Sequence, residues 1–409
     1  MRTLLALLLL TAAALAAHAQ TVPPATPVRP AAVTPASGRC GVCHPAERVQ
    51  FERSRHAPEG VRCVSCHGGD DRNLDAGAAH GAGFRGRPAR QDIPKLCASC
   101  HADEARMRPY NVPVDQYALY QTSGHGQRLA RGDQQVAVCS DCHGAHEVLA
   151  PRDPASSVYL LNIPRTCGHC HGDRAMMGPR GRPDVLKQYL SSVHARALFE
   201  QGNLRAPTCV SCHGVHGANP PNVGDIDKVC GQCHTTERRY YTAGGHAVSL
   251  GAGRPECASC HEAHRVQAAN PERLGNSCVL CHEGDARRLE LGRSLWTDYR
   301  TAAGEVDQAA ALVAKADAIP IQTEDYHARI EEARTYLREA LPAAHSVQPE
   351  VVAGFTTRAR AVGQEVQKEI QGKLANLRQH RYVLIAFWFY VLLTLFVLRR
   401  FRDQAARNR

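Results

Sequence analysis

A five-residue pattern, Cys-x-x-Cys-His, sets two thiols and one imidazole close together, and it occurs nine times between Cys40 and His282. The nine copies use all 18 cysteines of the 409-residue chain. Two thiols three positions apart on one helical turn can bond to the same edge of a flat ligand, and the imidazole that follows can bind a metal at its centre. The cysteines are Cys40, Cys43, Cys63, Cys66, Cys97, Cys100, Cys139, Cys142, Cys167, Cys170, Cys209, Cys212, Cys230, Cys233, Cys257, Cys260, Cys278 and Cys281.

This spacing is the attachment signature of c-type haem, in which the two thiols hold the ring and the histidine binds the iron on its proximal side. Zinc ribbons, disulfide frameworks and thioredoxin-like sites also use closely spaced cysteines, but none requires a histidine after every second cysteine. The sequence therefore predicts nine covalently bound c-type haems. Their proximal iron ligands are predicted to be His44, His67, His101, His143, His171, His213, His234, His261 and His282.

The motifs form an internal repeat, which is typical of a stacked, roughly linear architecture. Each regular repeat has a leading histidine, an extended motif with a trailing histidine three positions after its own last residue, and then a plain motif. The regular repeats are His125, Cys139–His143, His146 and Cys167–His171; His194, Cys209–His213, His216 and Cys230–His234; and His246, Cys257–His261, His264 and Cys278–His282. A divergent repeat precedes them, with His56, Cys63–His67 and Cys97–His101, and Cys40–His44 stands alone. In the divergent repeat Asp70 holds the trailing position, and His80 is the candidate substitute.

The extra histidines are candidates for the second, distal axial ligand of each iron. Each repeat offers two of them for its own two haems, which predicts six-coordinate irons closed to substrates. The distal candidates are His56, His80, His125, His146, His194, His216, His246 and His264. One haem is left without an obvious partner. Either its iron is open, or its ligand is among the remaining candidates, which are His345, His169, His327, His380, Met176 and Met177.

Composition predicts a fold in which haem replaces a conventional hydrophobic core. Aromatic residues are 5% of the chain, while Gly and Pro number 33 and 24. The segment from Cys40 to His282 gives only 27 residues to each motif, too few for a separate core around each haem. We expect a mainly α fold with much loop, made of a haem-cored array over residues 40–285, a helical hairpin or bundle over residues 286–380, and one C-terminal transmembrane helix.

The cysteine-free segment after residue 285 has the apolar spacing of amphipathic helices. One helix is predicted over residues 294–318. A second begins after Thr323, carries an apolar stripe from Tyr326 to Leu341 and ends at Pro342. A third opens at Pro349 and continues into the membrane. The segment is either a plain helical stalk or a docking surface for a membrane partner.

The two ends of the chain indicate export and anchoring. Residues 1–19 read as a secretory signal peptide with cleavage before Gln20, the alternative being a retained anchor, and residues 20–39 as a Pro/Ala-rich leader. Residues 381–398 are long and apolar enough to cross a bilayer, the alternative being a buried bundle helix. Residues 399–409 form a basic tail that the positive-inside rule places in the cytoplasm, which leaves the haem array in the periplasm.

The formal net charge of +10 does not indicate nucleic-acid binding. Part of the excess lies in the arginines of the C-terminal tail. The rest is roughly balanced by the propionates of nine haems, because a ferric haem with both propionates ionised carries about one negative charge. No nucleic-acid partner is therefore expected.

The paired motifs with the trailing histidine resemble the doubled-CxxCH multihaem cytochromes c of bacterial respiration over about residues 40–285. The resemblance implies an inner-membrane electron carrier between a quinol-oxidising or b-type cytochrome membrane subunit and periplasmic or outer-membrane cytochromes in anaerobic respiration. The chain departs from tetrahaem quinol dehydrogenases, whose anchor is N-terminal, and lacks the Lys-ended motif of pentahaem nitrite reductases. Its long helices also look like those of nitrite reductases and octahaem hydroxylamine oxidoreductases. The alternative is therefore a reductase of small nitrogen or sulfur compounds at one open haem, and the sequence favours the carrier.

Overall fold

The computed structural model of the chain describes residues 38–180, 184–220, 225–249, 254–268, 270, 272, 276–319 and 321–407. The predicted signal peptide and nearly all of the leader lie outside these ranges. The described residues form helices joined by turns and loops, and none of them is in a β-strand. The prediction of a mainly α fold with much loop is confirmed.

Short helices carry the nine motifs. Those of the first half are α1 (Cys40–Cys43), α2 (Pro45–Glu52), α3 (Cys63–His67), α4 (Ala76–Ala79), α5 (Ile93–His101), α6 (Glu104–Met107), α7 (Gln116–Thr122), α8 (Gly124–Ala130) and α9 (Cys139–His143). Those of the second half are α10 (Ile163–His171), α11 (Arg174–Met177), α12 (Val185–Leu190), α13 (Val193–Phe199), α14 (Cys209–His213), α15 (Ile226–Cys230), α16 (Thr235–Ala243), α17 (Gly245–Ser249), α18 (Cys257–His261) and α19 (Val279–His282). Single 3-10 turns lie at Arg90–Asp92, Arg108–Tyr110, Gly178–Arg180 and Ala344–Ser346.

The chain divides into two compact units. The first comprises the described residues up to Ala89 together with Gly144–Leu149, and it holds the first two motifs. The second comprises Arg90–His143 and the described residues from Ala150 onward, and it holds the other seven motifs and the long C-terminal helices.

Three long helices follow the last motif: α20 (Ala286–Ala316), α21 (Glu324–Ala343) and α22 (Pro349–Arg407). Small and branched side chains fill the space between them in three layers. The members are Leu295, Ala340, Ala343, Ala344 and Val352; Ala302, Val306, Ala333, Leu337 and Ala359; and Ala309, Val313, Ala316, Tyr326, Ile330, Val366 and Ile370. This bundle is the largest conventional hydrophobic core among the described residues, as expected for a segment without motifs. Pro342 lies in the last turn of α21, and Pro349 opens α22 as predicted.

Helix α22 runs without interruption from the bundle into the apolar segment. It has 59 residues, which at about 1.5 Å per residue makes it about 89 Å long. Its apolar window has a mean hydropathy of 2.1, and none of that window is buried against other described residues. This one helix is long and apolar enough to cross a membrane.

Candidate haem-binding sites

A side-chain cap starts the helical turn of each extended motif. The residue before the first cysteine donates its backbone N–H to the side chain of the third motif residue. These bonds join Arg62 to Ser65 (3.1 Å), Thr208 to Ser211 (3.1 Å), Glu256 to Ser259 (3.0 Å) and Val138 to Asp141 (2.7 Å). Such a bond satisfies a donor that a helix N-terminus leaves unpaired. The cap therefore fixes the turn that sets two thiols and the proximal imidazole on one side.

Three of the plain motifs lie instead at the ends of helices, which begin at Ile93, Ile163 and Ile226. In the first two, proline follows the isoleucine and is tolerated there because the first turn needs no N–H donor. The shared approach sequence thus sets the start of the helix. The motif then falls on the last turn in two of these helices and just past the end of the third.

The three leading histidines of the regular repeats hold one position in their helices. His125, His194 and His246 are each the second residue of a short helix. Buried serines cap two of these helices, with Ser123 accepting from the N–H of Gly126 (3.0 Å) and Ser192 accepting from that of Ala195 (3.2 Å). The cap orients the first turn, and with it the imidazole.

The structure brings eight of the nine proximal histidines face to face with a second histidine. The distances between ring centroids are 6.2 Å for His44 and His80, 6.1 Å for His67 and His146, 6.1 Å for His143 and His216, 5.9 Å for His171 and His125, 5.9 Å for His213 and His264, 6.4 Å for His234 and His194, 6.0 Å for His261 and His345, and 6.2 Å for His282 and His246. A spread of only 0.5 Å over eight unrelated loop geometries indicates one common ligand geometry.

That spacing fits an iron held between two imidazoles. A histidine nitrogen binds a first-row metal at about 2.0–2.1 Å, and the ring centroid lies about 1.1 Å behind the nitrogen, so two trans imidazoles place their centroids about 6.3 Å apart. Stacked or hydrogen-bonded imidazoles without a metal would lie closer. The residues present therefore fit a haem with two axial histidines at each of these eight sites.

Hydrogen bonds to the backbone orient several of these rings. His67 Nδ1 bonds the carbonyl oxygen of Gly86 at 2.8 Å, His213 Nδ1 that of Asn219 at 3.0 Å, and His345 Nδ1 that of Pro342 at 3.0 Å. A carbonyl can only accept, so Nδ1 carries the proton and Nε2 is left with its lone pair. Iron ligation needs that tautomer, and bonds of this kind hold metal-binding histidines in place.

Burial keeps the imidazoles neutral. It lowers the pKa of the distal candidates His125, His194 and His246. It also lowers the pKa of His143, which the neighbouring His216 and His101 lower further. A neutral imidazole is the form that binds a metal, so the protein environment favours the ligating form at these positions.

The trailing histidines are assigned differently from the sequence expectation. Each was expected to serve its own repeat, but His216 faces His143 of the preceding repeat and His264 faces His213. His146 likewise faces His67. The within-repeat expectation is therefore wrong for the trailing histidines, whereas the leading histidines His125, His194 and His246 do face the plain motif of their own repeat.

This shift resolves which motif had no obvious partner. His80 faces the solitary first motif at His44, not the divergent repeat. The last extended motif, Cys257–His261, then has no following repeat to supply a trailing histidine, and it faces His345 from the turn between α21 and α22. Of the other candidates, His327 instead bonds the carboxylate of Asp317 at 3.1 Å.

Close backbone packing holds the His345 turn against the motif-bearing helices. A Cβ at Gly244, which follows α16, would lie 2.6 Å from the carbonyl oxygen of Ser346. Ser346 is buried, and its hydroxyl donates to the carbonyl oxygen of Ala343 at 2.7 Å. Gln348 also reaches back to the carbonyl oxygen of Ala243 at 3.5 Å. Glycine at position 244 is therefore needed for this contact.

Consecutive motifs lie side by side through their thiols. First cysteines of successive motifs are hydrogen-bond partners, in the pairs Cys40 and Cys63, Cys97 and Cys139, Cys167 and Cys209, and Cys230 and Cys257. Second cysteines interact at the alternate junctions, in the pairs Cys142 and Cys170, and Cys212 and Cys233. Burial, helped by Cys40, raises the pKa of Cys63 to about 11. The sites therefore follow one another in space in the order of the chain within each unit.

Buried carboxylates connect neighbouring motifs. Asp227, of which 2% of the side chain is exposed, accepts hydrogen bonds from Arg238 and Arg254, each at 3.0 Å. Arg254 lies just before the motif Cys257–His261, whereas Asp227 lies in α15, which carries Cys230. Asp71 holds Arg62 in the same way before the second motif, and its backbone carbonyl accepts from Arg39 before the first. Each pair joins two consecutive motifs.

The sequence reasoning missed these supports. The caps had a signal, because serine or aspartate recurs as the third residue of the four extended motifs. The carboxylates had none, since Asp227 and Asp71 hold no common position in the repeat. His56 and His101, the remaining predicted ligands, belong to different compact units and are each part of their own.

Comparison with known families supports this assignment. The family model for the doubled CXXCH motif matches residues 56–106 and 202–239. Neither the curated proteins nor the solved structures contain a match to the chain. The matched segments include motifs at Cys63, Cys97, Cys209 and Cys230, each with the geometry described above. The chain is a multihaem c-type cytochrome that binds its haem covalently through CXXCH motifs.

Proposed function

We propose that the protein is a membrane-anchored electron carrier with nine c-type haems. The observation that carries this proposal is the set of eight histidine pairs with centroids 5.9–6.4 Å apart. A haem held between two histidines cycles between ferric and ferrous iron without a vacant position. The ninth proximal histidine, His101, keeps its predicted role, and a histidine partner for it remains part of the proposal.

The chain's own residues account for carrier behaviour. The caps and the Nδ1 bonds fix each imidazole in both oxidation states, which keeps reorganisation small. Thioether ligands, which raise haem potentials, are not used at the eight paired sites. Low-spin, low-potential haems in sequence order make a path for electrons rather than a place for substrate. The alternative, a reductase with an open iron, gains no support from these eight sites.

The proposed location is the bacterial inner membrane, with the haem array in the periplasm and the C-terminus in the cytoplasm. The apolar part of α22 supports a single crossing. Arg399, Arg400 and Arg402 follow it directly, which supports a cytoplasmic tail. A signal peptide over residues 1–19 would deliver the chain to this location.

The proposed partners are a quinol-oxidising or b-type cytochrome subunit in the membrane and periplasmic or outer-membrane cytochromes, in anaerobic respiration. A single crossing helix has no charged or histidine residue between Tyr382 and Leu398, so it offers no ligand for a haem and no proton acceptor for a quinol of its own. The electron donor or acceptor must then be another molecule.

The direct test is the mass and spectrum of the purified full-length protein. We expect a mass gain of nine haems over the mature polypeptide and a fully reversible reduction without any change on adding nitrite or hydroxylamine. A smaller mass gain would contradict the haem count. A spectral change with either compound would contradict the carrier and favour the reductase.

A further inference from the structure

The first and third bundle helices run parallel. Leu295 near the start of α20 packs in the same layer as Val352 near the start of α22. Ala302 and Val306 lie level with Ala359, and Val313 lies level with Ile370. The residue numbers rise together along both helices, so both helices begin at one end of the bundle. The apolar segment leaves from the opposite end.

The motif-bearing segment joins the bundle at the end where these helices begin. Asp285 caps α20 directly after His282 of the last motif. Tyr240 of α16 packs against the layer that holds Leu295 and Val352, and the His345 turn lies between α21 and α22 at this same end. The last two histidine pairs are thus attached at the end of the bundle that is remote from the apolar segment.

The length of α22 sets the separation. Thirty residues lie between the layer of Val352 and Tyr382, the first residue of the apolar segment, and at about 1.5 Å per residue they span about 45 Å. Three helices packed in three layers make this span stiff, unlike a single-chain linker. The interval is also strongly polar on its outside, as shown by the ion pairs of Arg329 with Glu365 (2.9 Å) and Glu369 (3.1 Å).

We propose that the bundle is a rigid spacer, and that the protein exchanges electrons at the His345 end with a redox protein whose own cofactor stands about 45 Å above the bilayer. This inference rests on the proposed function and narrows it. The partner is a membrane protein with a tall, cofactor-bearing periplasmic domain, because a quinol confined to the bilayer cannot come near the His261–His345 pair. Electron tunnelling falls steeply with distance, and this separation is far beyond one step.

The first experiment measures the separation in the full-length haem-loaded protein. Because all 18 native cysteines are bonded to haem, a single introduced cysteine can be labelled with a fluorophore whose emission haem absorbs. Glu350→Cys lies at the start of α22 and Arg378→Cys near the membrane, and both positions are exposed. We expect emission to fall by about 90% at position 350 and by less than about half at position 378, since about 42 Å of helix separates them. Equal quenching would overturn the spacer.

The second experiment tests the partner in vesicles that contain the wild-type protein alone. We expect a water-soluble reductant to reduce the haems at once, and a long-tailed quinol confined to the bilayer to reduce them at less than about one hundredth of that rate, because helix length keeps the last pair about 45 Å away. Rapid reduction by the bilayer quinol alone would overturn the inference. Failure of the soluble reductant would instead contradict the proposed carrier function, so the two failures are distinguishable.

Discussion

The imidazole of His345 lies 6.0 Å from that of His261, with the two rings inclined by 24°. His345 comes from a turn between two long helices, whereas the other extended motifs take their second histidine from a loop that follows another motif. The bundle thus replaces the missing next repeat and closes the array.

Replacing His345 with alanine should open one iron. We expect His345→Ala to keep all its haems and to convert one of them from low-spin to high-spin, which then binds cyanide or carbon monoxide, because the imidazole that faces His261 is lost. Electron paramagnetic resonance and optical titration measure both effects. His327→Ala is the matched control, since His327 is exposed and pairs with Asp317 instead. A variant that stays wholly low-spin would remove His345 from the ligand set.

The crossed assignment of the trailing histidines makes a separate prediction. We expect His216→Ala to open the iron at Cys139–His143, which belongs to the preceding repeat, and to leave the iron beside His213 closed. Electron cryomicroscopy of the cyanide-bound variant locates the open site. Cyanide density opposite His213 or His234 would restore the within-repeat assignment.

Gly244→Ala should loosen the His345 turn without touching a ligand. The new Cβ would lie 2.6 Å from the backbone oxygen of Ser346, and relieving such a contact costs about 1–3 kcal/mol. We expect a fraction of the iron at Cys257–His261 to become high-spin, with all haems still attached. At Gly245 a Cβ would meet nothing within 4 Å, so Gly245→Ala is the control. Equal spectra for the two variants would show that the turn does not depend on this contact.

Asp227→Asn should destabilise the second compact unit. The variant leaves Arg238 and Arg254 facing an uncharged amide in a buried position, and losing one partner of such a pair costs about 3 kcal/mol. Denaturant unfolding followed through the haem absorbance measures the loss. Asp225→Asn is the control, because its pair with Lys228 is exposed and contributes less than about 1 kcal/mol. If both variants unfold alike, Asp227 does not join the motifs.

Much of the site could be predicted from local sequence, and the remainder depends on contacts between distant segments. The motifs and the leading histidines were found because each occupies a fixed place within one short helix. The partner of a trailing histidine could not be found that way. His146 follows His143 by three residues and therefore lies on the same side of that ring, so it must bind another haem, and spacing alone does not say which.

The bundle shows the same limit. The apolar stripes of α21 and α22 and the helix starts at Pro349 and after Thr323 follow from a 3.6-residue period. That α20 and α22 run parallel, and that Gly244 allows the His345 turn to approach, depend on packing between segments about 100 residues apart in the chain. Such packing leaves no periodic signal in the sequence.

The most direct test of the account is a quantitative low-temperature count of iron spin states in the full-length oxidised protein, by electron paramagnetic resonance with magnetic circular dichroism. The account predicts nine low-spin ferric haems, each with the signature of two nitrogen ligands, and no high-spin iron. A high-spin signal amounting to one haem or more in the wild-type protein would contradict it.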